Sequence, residues 1–287
     1  MARLIRSIMF SPGNLPEIIT KVPRAGADVS IICWEDGTPV DAKEEARSLT
    51  TAAVQELRGQ GWQERLFIRT NHPTSEWFED DVAAVATGPY DGIVLPKLGS
   101  AADVAALHAA ALVGMDASRV ASLDVILGIE SGLGVLNLKE IVGEASNAIG
   151  VYFGAEDYAT SIGAKRSTSN VEVAYPRALV AMVARSYGLS CFDQGTLDFR
   201  DEERFERECA EARSYGYTGK ICFHPRQVEL TNRLFMPTDA EIEWARRLLS
   251  EYEAALAEGH ATPAIDGQMI DGPLVKRAEA TLALAGD

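Results

Sequence analysis

Residues 124–157 read DVILGIESGLGVLNLKEIVGEASNAIGVYFGAED. An apolar run, Asp124–Ile129, stops at Glu130, and a second, Ala148–Phe153, stops just before Asp157. A helix-like stretch separates them. Short, almost wholly apolar runs of this kind suit parallel strands that are buried on both faces. The same unit repeats outward in both directions. Upstream lie Ile5–Phe10, followed by Ser11-Pro12-Gly13-Asn14; Val29–Trp34, followed by Glu35-Asp36; Arg65–Arg69, followed by Thr70-Asn71; and Gly92–Leu95, followed by Pro96-Lys97. Downstream lie Ser190–Phe192, followed by Asp193, and Lys220–Phe223, followed by His224-Pro225. Helical patterns fill the gaps at Ala102–Leu112, at Glu172–Tyr187 before Gly188, and at Arg204–Tyr215 before Gly216. Eight strands alternating with helices predict an α/β chain folded as a (β/α)8 TIM barrel with right-handed crossovers. No GxGxxG follows the first strand, which argues against a dinucleotide-binding fold.

The 287 residues fit a barrel of roughly 250 residues plus an extension. The barrel is expected over 1–236 and a C-terminal helical arm over 237–287. In the arm, Thr238 followed by Glu241 is a capping box that opens a helix to about Ala257, with Ile242, Ala245, Leu248, Leu249 and Tyr252 on one face. A loop with Gly259, Pro263 and Gly267 leads to MIDGP and a short last helix. A net charge of −15 argues against nucleic acid as a partner, because that needs a basic face. No apolar run approaches the roughly 20 residues of a membrane span. Cys33, Cys191, Cys209 and Cys222 form no CxxC pair, and they read as reduced thiols of a cytoplasmic protein.

In a barrel of this kind the loops at the carboxyl ends of the strands build the active site. Glu130 and Asp157 come from adjacent strands, about 4.8 Å apart, so both carboxylates can face one ion. Two carboxylates completed by waters and substrate oxygens suit Mg2+; the bland alternative is a helix N-terminal acid and an N-cap. Arg69 is placed to bind a carboxylate or thioester oxygen, or else to form a rim salt bridge with Glu35 or Asp36. Glu35 and Asp36 are candidates for holding Arg69 and metal-bound waters. Lys97, Asp193 and His224 also end strands. A Schiff-base role for Lys97 and a Cys33–His224 nucleophile pair are weaker readings than metal-assisted chemistry.

The stretches RSIMFSPGN, KVPRAGAD, WEDGTPVDAKEEAR, RTNHPTSEWFEDD, GIVLPKLGSAADV, LGIESGLGVLN, YFGAEDYATSIGA, GYTGKICFHPRQVELTNRLFMP and GQMIDGPLVKRA run in order across nearly the whole chain. This ordered set resembles the HpcH/HpaI aldolase and citrate lyase β-subunit superfamily, in the branch of malyl-CoA and citramalyl-CoA lyases. The resemblance implies a Mg2+-dependent barrel that cleaves a 3-hydroxyacyl-CoA to acetyl-CoA and a 2-keto acid. It implies that Glu130 and Asp157 bind the metal and that Arg69 binds substrate. Asp271 of the ID-x-P motif would reach a neighbour's site as acid/base, which requires an oligomer, expected as a homotrimer or a hexamer. Contacts to CoA are expected from Pro12 and Gly13 and from the basic residues Arg6, Lys21 and Arg24 near the first loop. One departure stands out: where the family usually reads Asp-Leu-Glu-Asp-Ala-Val, this chain has Cys33-Trp34-Glu35-Asp36-Gly37-Thr38. The rival functions are a citrate lyase β-subunit acting on an acyl-carrier thioester, a CoA-independent pyruvate aldolase, a malyl-CoA thioesterase, and a non-catalytic dicarboxylate- or CoA-binding subunit.

Overall fold

The computed structural model describes residues 4–112, 122–260, 262–265 and 267–286. Eight parallel strands close into a barrel in chain order: β1 (Ser7–Pro12), β2 (Val29–Cys33), β3 (Leu66–Arg69), β4 (Gly92–Leu95), β5 (Asp124–Ile129), β6 (Ala148–Phe153), β7 (Ser190–Asp193) and β8 (Gly219–Cys222). The (β/α)8 expectation holds, and β4, β5 and β6 have the predicted limits. Strand β1 starts and ends two residues later than predicted, because Ser11 and Pro12 still pair with Ile32 and Cys33. Strand β8 lies one residue earlier than expected. The described helices are α1 (Pro16–Ile19), α2 (Lys43–Gly59), α3 (Phe78–Thr87), α4 (Ala101–Leu112), α5 (Gly132–Leu136), α6 (Leu138–Glu144), α7 (Ala155–Ser161), α8 (Ala174–Ser186), α9 (Glu202–Tyr215), α10 (Pro225–Leu234), α11 (Asp239–Ala257) and α12 (Gly272–Ala285). The helix predicted from Glu172 begins as a 3-10 turn, Val171–Val173, and becomes α-helical only at Ala174. No described helix is long and apolar enough to cross a membrane.

Two units pack separately, Met1–Asn232 and Arg233–Asp287. The barrel interior is filled by Ile8, Val29, Ile31, Phe67, Val94, Ile126, Tyr152, Phe192 and Ile221. These are alternate residues of successive strands, as the pleat requires. The second unit buries Ala245 and Leu248 of α11 and Ala278 of α12 around Ile265 and Ile270. Its capping box forms as read, with Thr238 accepting from the Glu241 N–H and Glu241 from the Thr238 N–H. A two-stranded antiparallel ribbon, β9 (Ala264–Ile265) with β10 (Gln268–Met269), precedes α12.

The alternation also decides what a strand-end residue does. Phe192 points into the barrel, so Asp193, one residue on, points out toward the helices. There its carboxylate takes two hydrogen bonds from Arg177 of α8, each 3.0 Å, and one of 3.2 Å from Lys220. All three side chains have no solvent exposure. Asp193 therefore belongs to a buried ion cluster and not to the barrel mouth, where its strand-end position had suggested it. Glu208 of α9 joins the cluster, 3.4 Å from Lys220. Burial works to raise the Glu208 pKa, but Lys220, Thr196 and Arg204 outweigh it and hold it at about 2, against an ordinary 4.5. A folded-state pKa below the unfolded one stabilises the fold above pH 4.5, and that stability is lost as pH falls toward 2. The depression corresponds to about 3 kcal/mol. Acid titration followed by circular dichroism is expected to show a flatter low-pH limb for Glu208→Gln than for the parent chain; superimposable limbs would assign acid unfolding to other groups.

Candidate active site

A cavity of about 450 Å³ opens at the carboxyl ends of the strands. Phe10, Pro12, Cys33, Arg69, Glu130, Tyr152, Ile221 and Phe223 line it, and each shares the inward register of its strand's core residues. Loop residues after β2, β6 and β7 complete the wall, among them Asp36, Glu156, Asp157 and Leu197. Among the described residues the lining thus carries four carboxylates, Asp36, Glu130, Glu156 and Asp157, and one cation, Arg69.

Glu130 is 3% exposed at the end of β5. Its Oε1 accepts from the Lys97 backbone N–H at 3.0 Å and from the Tyr152 hydroxyl. No described hydrogen bond ends on Oε2, which lies against Gly154. A Cβ built on Gly154 would stand 2.5 Å from that oxygen, a distance real Cβ atoms do not occupy. The glycine therefore keeps a lane open beside Glu130. Gly128 does the same one strand pair deeper, where a Cβ would meet the Tyr152 hydroxyl at 2.4 Å and prevent it from reaching Glu130. Burial raises the Glu130 pKa, opposed by Arg69 and by the Tyr152 hydrogen bond. A buried carboxylate with one open oxygen gains from a cation brought to it. Gly154→Ala is expected to push the Glu130 carboxylate aside and weaken divalent-cation binding about tenfold or more, with the melting temperature changed by only a few degrees. Calorimetric titration with Mg2+ checks this; unchanged affinity would show that Oε2 is not the binding oxygen.

Asp157 sits in the first turn of α7 with its side chain 46% exposed. Lys97 Nζ lies 3.7 Å from it, 2.7 Å from Glu35 Oε1 and 2.5 Å from Asp36 Oδ2. Lys97 is one of two described non-glycine residues with positive φ, at 52°. That conformation costs of order 1–3 kcal/mol, and it turns the Lys97 N–H onto Glu130 while the ammonium spans the acidic rim. Burial lowers the Lys97 pKa, but Asp36 and Glu35 raise it further, so the amine stays protonated. This is the reverse of what a Schiff-base lysine needs. Lys97 and Arg69 also hold the Asp36 pKa below the usual carboxylate range against the upward effect of burial.

Arg69 ends β3 beside Cys33, its registered partner on β2. Its guanidinium donates from Nε and Nη2 to Cys33 Sγ at 3.1 and 3.0 Å, lies 3.2 Å from Glu35 Oε2, and stacks over the Phe10 ring at 4.9 Å. The rim salt bridge and the pocket-facing position thus coexist. The loop carrying Glu35 is fixed from below by Lys43 of α2, a buried ammonium that donates to Trp34 O, Glu35 O and Asn71 Oδ1. Asn71 is held in turn by Asp81.

The first 225 residues carry the decisive match: residues 6–225 fit the sequence profile of HpcH/HpaI aldolase/citrate lyase. The chain belongs to the HpcH/HpaI aldolase/citrate lyase family. It is 37% identical to a citrate lyase subunit beta-like protein of Deinococcus radiodurans over 98% of this chain and 97% of that one. It is 31% identical to a (3S)-malyl-CoA thioesterase of Cereibacter sphaeroides over 99% and 95%. The CitE protein of Mycobacterium tuberculosis, solved in complex with magnesium, acetoacetate and coenzyme A, superposes with a TM-score of 0.82 at 28% identity and full coverage of both chains. Family membership and the closed eight-strand barrel place this chain among the citrate lyase β-like proteins.

Of the residues expected at the site, Glu35, Asp36, Arg69, Glu130 and Asp157 gather at the mouth, with Pro12 in the lining. Gly13 is buried next to Pro12 and outside the lining, its N–H bonded to Cys33 O and Thr38 Oγ1. Arg6 does not join them. It precedes β1, at the opposite end of the barrel from the cavity, where Asp28 accepts from its backbone N–H, Nε and Nη2, so it is not placed to meet CoA at the mouth. Lys21 and Arg24 are exposed and line no part of the cavity. His224 stacks on Phe199 at 5.0 Å and accepts from the Arg226 N–H; it makes no pair with Cys33. Asp271 caps α12, accepting from the Leu274 N–H at 3.3 Å. Sequence reasoning missed Tyr152 and the Cys33–Arg69 contact. Counting alternate residues back from Glu130 and Arg69 along paired strands is the signal that finds both.

Proposed function

We propose that this protein is a Mg2+-dependent carbon–carbon lyase that cleaves a 3-hydroxyacyl-CoA of the malyl-CoA or citramalyl-CoA type to acetyl-CoA and a 2-keto acid. The observation that carries this reading is the open oxygen of buried Glu130 beside Asp157, in a cavity whose described lining holds four carboxylates and a single guanidinium. The donors are all oxygen, as a hard cation prefers. Two carboxylates give a partial shell that waters and substrate complete, a habit of Mg2+. Glu130 and Asp157 would hold the ion, which when bound supplies Lewis-acid polarisation of the substrate's oxygens. Arg69 binds the substrate's carboxylate or thioester oxygen through the guanidinium edge that faces the cavity. Glu35, clamped by Lys97 and Lys43, keeps Arg69 aimed. Tyr152 and the Lys97 N–H hold Glu130 in one rotamer. By family resemblance, Asp271 of an adjacent subunit in a trimer or hexamer transfers the proton to the departing acetyl-CoA enolate.

The likeness to a malyl-CoA thioesterase supports a second reading, hydrolysis of the same thioester. One assay separates the two. Purified protein is given malyl-CoA or citramalyl-CoA with Mg2+ or with EDTA, and keto acid and free thiol are both measured. Metal-dependent glyoxylate or pyruvate without free thiol is the result expected of a lyase. Free thiol without keto acid makes it a thioesterase. Neither product would remove stand-alone turnover of these substrates and leave an acyl-carrier substrate or a binding subunit.

A further inference from the structure

The partner of Arg69 is unusual. A guanidinium in a pocket ordinarily finds a carboxylate, whose two oxygens match its fork. Here Nε and Nη2 both donate to one sulfur, Cys33 Sγ, at 3.1 and 3.0 Å, and the Gly37 N–H adds a third donor at 3.2 Å. Sulfur is a weak acceptor and quenches a guanidinium's field far less than a carboxylate would. Among the described residues the one carboxylate within 4 Å of Arg69 is Glu35, whose Oε2 lies 3.2 Å from Nη2, and it is already divided: Oε1 lies 2.7 Å from Lys97 Nζ, and Oε2 accepts from the Asp36 N–H at 2.9 Å. No described hydrogen bond involves Arg69 Nη1. A guanidinium keeps its charge at any physiological pH, so this one is permanent. Arg69 is also the single cation among the cavity's described lining residues, facing four carboxylates. An anionic ligand entering this cavity therefore meets repulsion from every ionised wall residue except this one.

We propose that Cys33 is a specificity-determining residue: by giving Arg69 a sulfur in place of a carboxylate as its in-plane partner, it leaves the guanidinium's charge available to a small carboxylate substrate. The inference rests on the reading of Arg69 as the substrate-binding residue. A unit negative charge placed at residue 33, about 4 Å from the guanidinium, cancels attraction of the order that a tenfold affinity change represents.

The test uses the full chain with saturating Mg2+ and oxalate as a small dianionic probe, with affinity measured by calorimetry. Cys33→Asp is expected to weaken oxalate binding about tenfold while Mg2+ affinity, titrated separately, is unchanged or tighter. Cys33→Ser, which adds no carboxylate, is expected to stay within about twofold of the parent. Arg69→Met separates the inference from the reading beneath it. Oxalate binding that survives Arg69→Met overturns the role of Arg69 and the inference with it. Loss in Arg69→Met with unchanged or tighter binding in Cys33→Asp overturns the role of Cys33 alone. If Cys33→Asp does not fold, Cys33→Ser decides: retained oxalate affinity supports the inference, and a tenfold loss overturns it by showing that the sulfur itself is required.

Discussion

Replacing Glu130 with glutamine is expected to lower metal-dependent turnover roughly a thousandfold, about 4 kcal/mol in the transition state, and to remove the heat of Mg2+ binding. The substitution is chosen for what it leaves intact. The amide oxygen still accepts from the Lys97 N–H and the Tyr152 hydroxyl, the two donors that Glu130 Oε1 serves. The amide nitrogen then occupies the lane beside Gly154, where it presents hydrogens to a cation instead of a lone pair. Because burial already disfavours the Glu130 charge, the neutral amide is expected to leave the melting temperature unchanged or slightly raised. Glu130→Ala is a poorer test, since it strands both buried donors. Parent-like Mg2+ affinity in Glu130→Gln would refute the ligand role.

The largest loss of stability is expected far from the chemistry. Asp193→Ala leaves the side chains of Arg177 and Lys220 fully enclosed without the carboxylate that both address. Removing one partner of a buried ion cluster costs about 3–5 kcal/mol, which for a chain of this size lowers the melting temperature by roughly 10 °C. Arg177 keeps Glu211 at 2.7 Å, and Lys220 keeps Gln194 O at 2.6 Å and Glu208 at 3.4 Å, so the loss stops short of complete unfolding. The cluster faces the helices and not the cavity, so Mg2+ affinity of the folded variant at low temperature is expected to match the parent. A melting temperature within 2 °C of the parent, about 1 kcal/mol, would show that the remaining carboxylates suffice.

The two experiments mark where reading the chain succeeded and where it stopped. Glu130 and Asp157 were legible because a carboxylate next to a barrel strand's carboxyl end sits at the mouth. Asp193 occupies the same kind of position and was misplaced by the same rule. The strand-end argument uses distance along the strand but omits the pleat, and one residue of register turns a mouth carboxylate into a partner for Arg177. Arg6 failed for a related reason: it is near the first loop in sequence, but strand β1 carries the chain from one end of the barrel to the other between Arg6 and Gly13. The positive φ of Lys97 left no trace in the sequence, since lysine has no special tolerance for that region.

The sequence by itself determined the eight-strand alternation, the capped helix of the second unit, and the carboxylates of the mouth. Each depends on local periodicity or on a residue's position within its own element, and so can be read from a short window. Only the tertiary structure decided that Arg69 meets a sulfur, that Lys97 bridges three loops, that Gly154 keeps Glu130 Oε2 open, and that Asp193 is sealed away with Arg177 and Lys220. Those facts depend on which residues of separate strands share a level and a face of the barrel. That register is set by closure of the sheet and packing of its core, which no single segment encodes.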